Sequence, residues 1–294
     1  MTEWTGVRDK RVLITGATRG IGLEAARELA RRGAQLAIVA RDDARAAAAV
    51  SSIEDESGSK VDVLHADLTS QASVRALASE ALERYARIDV LVNNAGATFT
   101  TRTLTVDGIE RTWALNHLAP FLLTTLLLDR LRESAPARII TTSSDAHKGK
   151  LIPFDDLNAE RSWKGRGFTR YGETKLANIM FTRELARRLE GTGVNAYCFH
   201  PGLVATGFNR NNGALMTTAM VIIAPFARSP RKGAQTLVWL ADSPDVSNQN
   251  GGYYEDRALA VSSRQAQDPT LAKRLWEVSE EQVRPRTVAG TSAS

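Results

Sequence analysis

Short apolar segments alternate with amphipathic segments over the first two thirds of the chain. Six nearly continuous apolar runs have the length and the β-branched content of buried strands: Val12–Thr15, Gln35–Ala40, Val61–Ala66, Asp89–Asn93, Ala137–Ser143 and Val194–Phe199. Apolar residues at three- and four-residue intervals predict the helices between them: Gly20–Arg32, Asp42–Ser57, Ser70–Ala86, Ile109–Arg132 and Tyr171–Glu190. This alternation predicts the α/β class, with a doubly wound central parallel sheet flanked by helices on both faces.

Two long segments interrupt the alternation. Asp145–Arg170 is rich in Gly, Lys, Arg and Asp, and Leu203–Ser229 contains the apolar run Ala214–Ala227. Both follow strands at the edge where doubly wound sheets bind ligands, so we expect a substrate lid at about residues 203–229. No linker divides the chain. We therefore expect one catalytic domain over residues 1–284, followed by a flexible tail of residues 285–294.

Composition and charge narrow the functional classes. Of 294 residues, 43% are hydrophobic and 24% are charged, as in soluble globular proteins. The 38 basic and 33 acidic residues are interspersed, and a net charge of only +5 argues against nucleic-acid binding. The sequence shows neither a secretory signal nor an apolar run long enough to cross a bilayer. A single cysteine, Cys198, cannot form an internal disulfide, and we expect a cytoplasmic protein.

A glycine-rich loop joins the first predicted strand to the first predicted helix. It reads Thr15-Gly16-Ala17-Thr18-Arg19-Gly20-Ile21-Gly22, with the spacing G-x-x-x-G-x-G. Glycines allow the backbone to approach a pyrophosphate, and the helix N-terminus offers free N–H groups and the positive end of its dipole. The alternative is a tight turn without a ligand. Its position between a strand and a helix favours dinucleotide binding.

Two arginines bear on the identity of the dinucleotide. Arg41 follows the second predicted strand, where an acidic residue would bind the ribose hydroxyls of NAD, and Arg19 lies in the glycine loop. Two guanidinium groups suit a 2′-phosphate through charge-assisted hydrogen bonds. The sequence therefore favours NADP(H) over NAD(H), the alternative being two solvated surface arginines.

A tyrosine and a lysine have a spacing that suits proton transfer. Tyr171 and Lys175 lie four residues apart, on one face of a predicted helix. A nearby cation is expected to lower the pKa of a phenol and to bring proton transfer into range near neutral pH. This motif is weak alone, but Ser144 follows the fifth predicted strand and Asn93–Gly96 the fourth. Asn116 lies on the helix after that fourth strand.

Taken together, these motifs resemble the short-chain dehydrogenase/reductase family, whose members have a Rossmann fold, from about Lys10 to Tyr254. One departure is the separation of Ser144 and Tyr171, which are 27 positions apart where about a dozen is usual in compact members. The segment Leu151–Leu157, the run Lys175–Asn178 and Gly252–Tyr254 resemble the branch that contains the retinol dehydrogenases and the WW-domain oxidoreductases.

The resemblance implies a catalytic set of four residues. Tyr171 would be the general acid in reduction and the base in oxidation, and Lys175 would lower its pKa and hold the nicotinamide ribose. Ser144, the second of a serine pair, would bind the substrate oxygen. Asn116 would anchor a water in a proton relay from Lys175. No histidine has metal-ligand spacing, and we expect no metal.

The resemblance also implies a set of cofactor-binding residues. Asp67 would contact the adenine, Leu68 would offer a backbone N–H, and Asn93 would stabilise the central sheet. The segment that begins at Pro201 would fix the nicotinamide. The complete set is Gly16, Thr18, Arg19, Gly20, Ile21, Gly22, Arg41, Asp67, Leu68, Asn93, Ala95, Gly96, Tyr171, Lys175, Pro201, Gly202, Val204 and Thr206.

The expected function is that of an NADP(H)-dependent oxidoreductase. It would interconvert a carbonyl and an alcohol on a lipophilic or bulky small molecule, because the segment where the family keeps its lid is apolar. The alternative is a non-catalytic, NADP-sensing or interaction protein that retains the fold. In this family the helices that carry Asn116 and Tyr171 commonly pack against a second subunit. Their surplus apolar surface is modest, so we predict a homodimer, with a monomer as the alternative.

Overall fold

One mostly parallel sheet organises the molecule. The computed structural model describes residues 3–204, 228–246 and 249–285. Within these ranges the sheet has the strand order β3-β2-β1-β4-β5-β6-β7-β8, with only the β7–β8 pair antiparallel. The strands are β1 (Arg11–Thr15), β2 (Gln35–Ala40), β3 (Val61–His65), β4 (Val90–Asn93), β5 (Ala137–Thr142), β6 (Val194–His200), β7 (Tyr253–Glu255) and β8 (Ala258–Leu259). The predicted doubly wound α/β fold is confirmed, although the sequence did not predict β7 and β8.

Helices cover both faces of this sheet. They are α1 (Gly20–Arg31), α2 (Asp43–Ser57), α3 (Gln71–Arg84), α4 (Arg111–Trp113), α5 (Ala119–Glu133), α6 (Phe168–Arg188), α7 (Pro230–Asp242), α8 (Arg264–Gln267) and α9 (Pro269–Val283). One core contains Leu13 with helices α3, α5, α6 and α9, and the other contains Val12 and Ile14 with α1, α2 and α7. Neighbouring residues of β1 therefore point into different cores.

The long helix predicted over Ile109–Arg132 is in fact interrupted. A π-helical turn, Ala114–Leu118, separates α4 from α5. Pro120 gives the physical reason, because its ring lacks an N–H group and would clash with the carbonyl four residues earlier, that of Asn116. The wider turn removes this conflict, and it places Asn116 on a local bulge instead of a regular helix.

Residues 145–170, expected to form a long loop, are anchored by a buried ion pair. Arg170 lies 2.8 Å from the Glu110 carboxylate, and both side chains are almost completely buried. Glu110 also accepts hydrogen bonds from the Thr112 and Trp113 N–H groups, and its own N–H donates to Asn158 within the loop. The loop is thus fixed to the start of α4 and to the first turn of α6.

The C-terminal helix α9 covers a face of α5 and α6. The Trp276 ring stacks on Phe181 and meets Phe121 edge-on, at centroid distances of 5.9 and 5.0 Å. Leu122 and Ile179, which belong to the two helices considered for the subunit contact, are buried in the same core and cannot take part in it.

Two of the predicted segments lie mostly beyond the described part of the chain. The lid at about 203–229 includes residues 205–227, which the structure does not describe, and the tail of residues 285–294 is described only at 285. Among the helices that are described, none has the combination of length and apolar character needed to span a bilayer.

Candidate active site

A large cleft lies at the carboxyl ends of the strands. The described residues enclose a volume of about 890 Å³ there, between the glycine loop, the ends of β4, β5 and β6, and the start of α6. Most of the predicted site residues line it: Gly16, Thr18, Arg19, Gly20, Ile21, Gly22, Arg41, Asp67, Leu68, Ala95, Gly96, Ser144, Tyr171, Lys175, Pro201, Gly202 and Val204. Thr206 lies outside the described residues, whereas Asn93 and Asn116 lie behind the cleft wall.

The glycine loop packs too closely for side chains at two of its positions. A Cβ atom on Gly22 would lie 2.2 Å from the Gly16 carbonyl oxygen, and one on Gly16 would lie 2.8 Å from the Ala95 Cα. Gly16 also has a φ of +69°, a conformation that favours glycine. This tight loop leads into the N-terminus of α1, which matches the geometry that accommodates a pyrophosphate.

Two adjacent asparagines at the end of β4 have different roles. The Asn93 side chain is buried and donates to Thr124 Oγ1, 2.9 Å away, so it supports the sheet and does not line the cleft. Asn94, which we had not selected, lines the cleft and donates to the Thr15 and Gly16 carbonyl oxygens, each at 3.2 Å. Since successive residues of a strand point to opposite faces, only one of the pair can reach the loop.

Positive side chains gather at the end of the cleft beside β2. Arg19 and Arg41 line it as expected, and they are joined by Arg45 from the first turn of α2. Asp67 lies nearby and accepts hydrogen bonds from the N–H and hydroxyl groups of Thr69 at 2.9 and 2.8 Å. Burial opposes ionisation of Asp67, but these hydrogen bonds hold its pKa below the usual value. This end of the cleft thus offers three guanidinium groups beside the Asp42 and Asp67 carboxylates.

The catalytic side chains meet at the opposite end of the cleft. Lys175 Nζ lies 5.3 Å from the Tyr171 ring centre and donates to the Thr142 carbonyl oxygen at 3.0 Å. Ser143 and Ser144 separate into different roles, because the buried Ser143 hydroxyl donates to the Lys175 carbonyl oxygen at 2.8 Å. Ser144 is the serine left to face Tyr171, in agreement with the choice made from the sequence.

Burial dominates the protonation of the catalytic pair. It raises the pKa of the Tyr171 phenol to about 12, while a hydrogen bond with Ser144 acts in the opposite direction. It also lowers the pKa of the Lys175 ammonium to about 7. For the phenol, loss of solvation outweighs the hydrogen bond with Ser144. That Lys175 lowers the Tyr171 pKa stays a prediction. The phenol keeps its proton at neutral pH, as a general acid must.

Asn116 braces the site from behind. Its Oδ1 atom accepts from the Ala97 N–H at 2.9 Å, and its Nδ2 atom donates to the Ala97 carbonyl at 2.9 Å and to Thr174 Oγ1 at 3.1 Å. A Cβ atom on Gly96 would lie 3.3 Å from Asn116 Oδ1 and 3.5 Å from Lys175 Nζ. Glycine therefore leaves space in front of both groups. The role of Asn116 in holding a water stays a prediction.

A polar cluster that the sequence did not reveal lies beside Ser144. Asp145 follows β5, and His200 and Glu255 are the last residues of the adjacent strands β6 and β7. Their potential ligand atoms lie within 4.8 Å of one another. Asp145 already pairs with Lys148 at 2.8 Å and accepts from the Tyr253 hydroxyl at 3.1 Å. These contacts account for the Asp145 carboxylate without a metal. The three residues are far apart in the sequence, and only the order of the strands in the sheet brings them together. The sequence therefore gave no signal for this cluster.

Apolar side chains near the catalytic end were also missed. Phe99, Leu115, Phe168 and Leu203 line the cleft together with Arg111, whose guanidinium lies 4.2 Å from the Phe99 ring centre. Phe168 belongs to α6, which begins three residues before Tyr171, where we had placed its start. The signal available in the sequence was only the apolar character of these residues.

Comparisons with known proteins identify the family of the chain. The family model described as short chain dehydrogenase matches residues 10–216. Retinol dehydrogenase 12 of Mus musculus is 45% identical over 272 residues, covering 92% of this chain and 85% of that protein. A Streptomyces sp. (strain C5) protein proposed to be a daunorubicin C-13 ketoreductase is 43% identical over 278 residues, covering 95% of this chain and 94% of its own.

A solved structure supports the same assignment. A short chain dehydrogenase from Burkholderia cenocepacia in complex with NADP has a TM-score of 0.68 and 28% sequence identity, covering 85% of this chain and 96% of that chain. Structure, family model and relatives agree on the fold and on the family. The chain therefore belongs to the short-chain dehydrogenase family, in its retinol-dehydrogenase-like branch, and is an oxidoreductase that acts on CH–OH groups.

Proposed function

We propose that the protein is an NADP(H)-dependent oxidoreductase that interconverts a carbonyl and an alcohol on a lipophilic or bulky small molecule. One observation carries the proposal: the Ser144, Tyr171 and Lys175 side chains share a single cleft with a glycine loop that has no room for side chains at Gly16 and Gly22. The loop suits a dinucleotide pyrophosphate, and the three side chains suit the oxygen of a substrate.

The proposed mechanism divides the work between cofactor and protein. Bound NADPH supplies the hydride. Ser144 binds the carbonyl oxygen and orients it toward Tyr171, whose phenol, protonated at neutral pH, donates its proton to that oxygen. Lys175, fixed by the Thr142 carbonyl, would hold the ribose hydroxyls and stabilise the phenolate as it forms. In alcohol oxidation Tyr171 acts as the base.

The preference for NADP(H) follows from charge at the other end of the cleft. Arg19, Arg41 and Arg45 present three guanidinium groups where a 2′-phosphate would lie, and no acidic residue occupies the position of Arg41. The NADP bound to the Burkholderia relative supports this preference.

Cofactor titration tests the preference. The double variant Arg19→Ala/Arg41→Asp should weaken NADPH binding by roughly 100-fold or more, because each charged hydrogen bond contributes about 1.5–3 kcal/mol. NADH, which lacks the phosphate, should lose much less. Lys60→Ala removes a solvated cation just before β3, outside the cleft, and serves as the control. Equal losses for NADPH and NADH would reject the phosphate assignment.

The proposed substrate class rests on the lining of the cleft and on the relatives. Phe99, Leu115, Phe168 and Leu203 give the catalytic end an apolar wall, and the relatives are named for retinol and daunorubicin. A panel of aldehydes and ketones of increasing size, assayed by NADPH consumption, tests this. We expect kcat/KM to rise with apolar size. Tight NADPH binding without turnover on any member would instead favour the alternative of a non-catalytic NADP-binding protein.

Two further predictions concern the oligomeric state and the cellular location of the protein. A homodimer remains our prediction, although α9 covers the face of α5 and α6 on which that prediction was based. Sedimentation should give about twice the 32.0 kDa mass of the chain if the dimer forms, and this single mass if it does not. A cytoplasmic location remains a prediction from the single cysteine, Cys198.

A further inference from the structure

The C-terminal segment from Ser262 to Val283 lies beyond the residues matched by the family model, yet it contacts the catalytic elements from behind. We propose that this segment positions the catalytic groups through two buried histidines, His147 and His117, which are positioning residues and do not touch the substrate. The inference rests on the proposed function. It concerns how the chain holds Ser144, Asn116 and Lys175 in place.

His147 links the Ser144 backbone to the C-terminal segment. Its Nδ1 atom lies 2.7 Å from the Ser144 carbonyl oxygen, and its Nε2 atom accepts a hydrogen bond from the Ser263 N–H at 3.1 Å. An N–H donor at Nε2 requires that nitrogen to be unprotonated, so Nδ1 carries the proton and donates to Ser144. The ring is completely buried and meets the Tyr253 ring edge-on at 5.3 Å.

This arrangement fixes the turn that carries the catalytic serine. The Ser144 carbonyl also accepts from the His147 N–H at 3.1 Å, and the Ser144 hydroxyl accepts from the Ala146 N–H at 3.2 Å. Burial lowers the pKa of His147, which keeps the imidazole neutral and its two hydrogen bonds intact near neutral pH. The position of Ser144 therefore depends on a bond to a residue 119 positions later in the sequence.

His117 provides the second link, on the other side of the site. It follows Asn116 in the π-helical turn, and its Nε2 atom lies 2.8 Å from Ser279 Oγ on α9, with both side chains fully buried. The side chain of Asn178 faces the imidazole and donates to the Thr142 carbonyl at 3.2 Å, the same oxygen that receives Lys175 Nζ. Asn178 thus lies between His117, which α9 holds by a hydrogen bond, and the carbonyl oxygen that fixes the catalytic lysine, without a hydrogen bond of its own to the imidazole.

Packing alone does not account for these polar contacts. An apolar side chain of similar volume would fill either position without the desolvation cost of an imidazole. Each histidine instead bonds to the C-terminal segment through its Nε2 atom. Each also borders a catalytic residue, because His147 contacts the Ser144 carbonyl and His117 follows Asn116. Displacing a reacting group by about 1 Å is sufficient to reduce turnover by roughly 100-fold. We therefore expect loss of these contacts to affect turnover more than cofactor binding.

Variants at His147 test the inference with the carbonyl compound that the wild-type protein reduces fastest and with NADPH. His147→Leu removes both hydrogen bonds and should lower kcat by about 10–100-fold, with the NADPH Kd within twofold of wild type. His147→Asn places an amide N–H close to the position of Nδ1, and it should recover part of the lost kcat. Ser279→Ala should lower kcat by a few-fold, whereas Lys273→Ala, an exposed change on the same helix, should not.

Thermal unfolding and the NADPH Kd separate positioning from stability. The inference is overturned if His147→Leu retains wild-type kcat, or if His147→Asn and His147→Leu lose kcat and NADPH affinity together in proportion to their loss of Tm. Wild-type protein that binds NADPH and reduces no carbonyl would overturn the proposed function itself, and the positioning role with it. Rescue by asparagine at an unchanged Tm would support positioning.

Discussion

The two ends of the cleft are built by different kinds of contact. At the cofactor end, backbone atoms approach one another directly, as between Gly16, Gly22 and Ala95, and Asn94 ties the loop to the end of β4. These elements are adjacent strands and the turns that follow them. At the catalytic end, buried side chains bridge segments that are distant in the sequence. Glu110 and Arg170 are 60 positions apart, His147 and Ser263 are 116, and His117 and Ser279 are 162.

This contrast predicts different sensitivities at the two ends. At its tightest glycines the cofactor end has no room for one additional carbon atom unless the neighbouring backbone shifts. The catalytic end can accept a long loop between Ser144 and Tyr171, provided that the buried polar partners of that loop are present. Removing one such partner leaves the other without a hydrogen bond in the core. Substitutions that disturb one end of the cleft at a time test this difference.

The largest effect is expected from Tyr171→Phe. Removing the phenolic hydroxyl group should lower turnover by roughly 100- to 10,000-fold, the range for loss of a general acid. The NADPH Kd should stay nearly unchanged. Steady-state kinetics and fluorescence titration measure the two quantities. Tyr85→Phe, which removes a buried hydroxyl away from the cleft, is the matched control and should retain wild-type kcat. If Tyr171→Phe kept more than about a tenth of wild-type turnover, another acid would have to be found.

The next largest effect should come from the buried ion pair. Glu110→Ala leaves the Arg170 guanidinium with one carboxylate fewer in the core, and it should reduce the free energy of unfolding by about 3–5 kcal/mol. The double variant Glu110→Met/Arg170→Met should recover much of this loss. Asp129→Asn removes an exposed ion pair and should cost about 0.5 kcal/mol or less, as measured by denaturant unfolding. A loss for Glu110→Ala as small as that of Asp129→Asn would contradict the prediction.

A smaller effect is expected at the cofactor end from Gly22→Ala. The added methyl group must displace the Gly16 carbonyl, and we expect about tenfold weaker NADPH binding with a stability loss of about 1–3 kcal/mol. Gly58→Ala introduces strain at a φ of +69° in open space, so it should lower stability without changing the NADPH Kd. Equal effects of both variants on NADPH binding would show that the loop geometry is not what binds the cofactor.

The smallest expected effect is a pH dependence of stability due to Lys175. Its folded pKa is lowered by burial to about 7 from an ordinary value of 10.5, so between these values the unfolded state binds more protons. The stability of the cofactor-free protein should therefore rise with pH from about 7 to 10.5. Lys175→Met should be the more stable protein at pH 6, by at least about 1 kcal/mol, and the difference should shrink toward pH 10. A difference that does not change with pH would contradict the burial effect.

The fold and the cofactor end were largely predictable because their signals are local. The strand and helix periodicities gave the doubly wound sheet, and the glycine loop needed only eight consecutive residues, Thr15–Gly22. The short strands β7 and β8 were missed because Tyr253–Glu255 and Ala258–Leu259 are too brief for a periodicity. Their place in the sheet comes from pairing with β6, a contact between segments distant in sequence.

The catalytic end was predictable only in part. The resemblance identified Tyr171, Lys175 and Ser144, but it did not indicate that burial raises the pKa of the phenol. That result depends on the three-dimensional surroundings of the ring. The π-helical turn around Asn116 had a signal that was available in the sequence, since a proline four residues later cannot follow it in a regular helix. No signal in the sequence indicated the roles of His117 and His147, because both bond to residues of the distant C-terminal segment.

The contact between Glu110, Asn158 and Arg170 has a consequence for related sequences. Asn158 and Arg170 lie 48 and 60 positions after Glu110, and both contact it. A relative with a shorter connection between the serine and the tyrosine need not keep either residue, and without the arginine a glutamate at the position of Glu110 would be a buried unpaired charge. The three positions should therefore covary across the family. A chimera that exchanges the loop must exchange residue 110 with it.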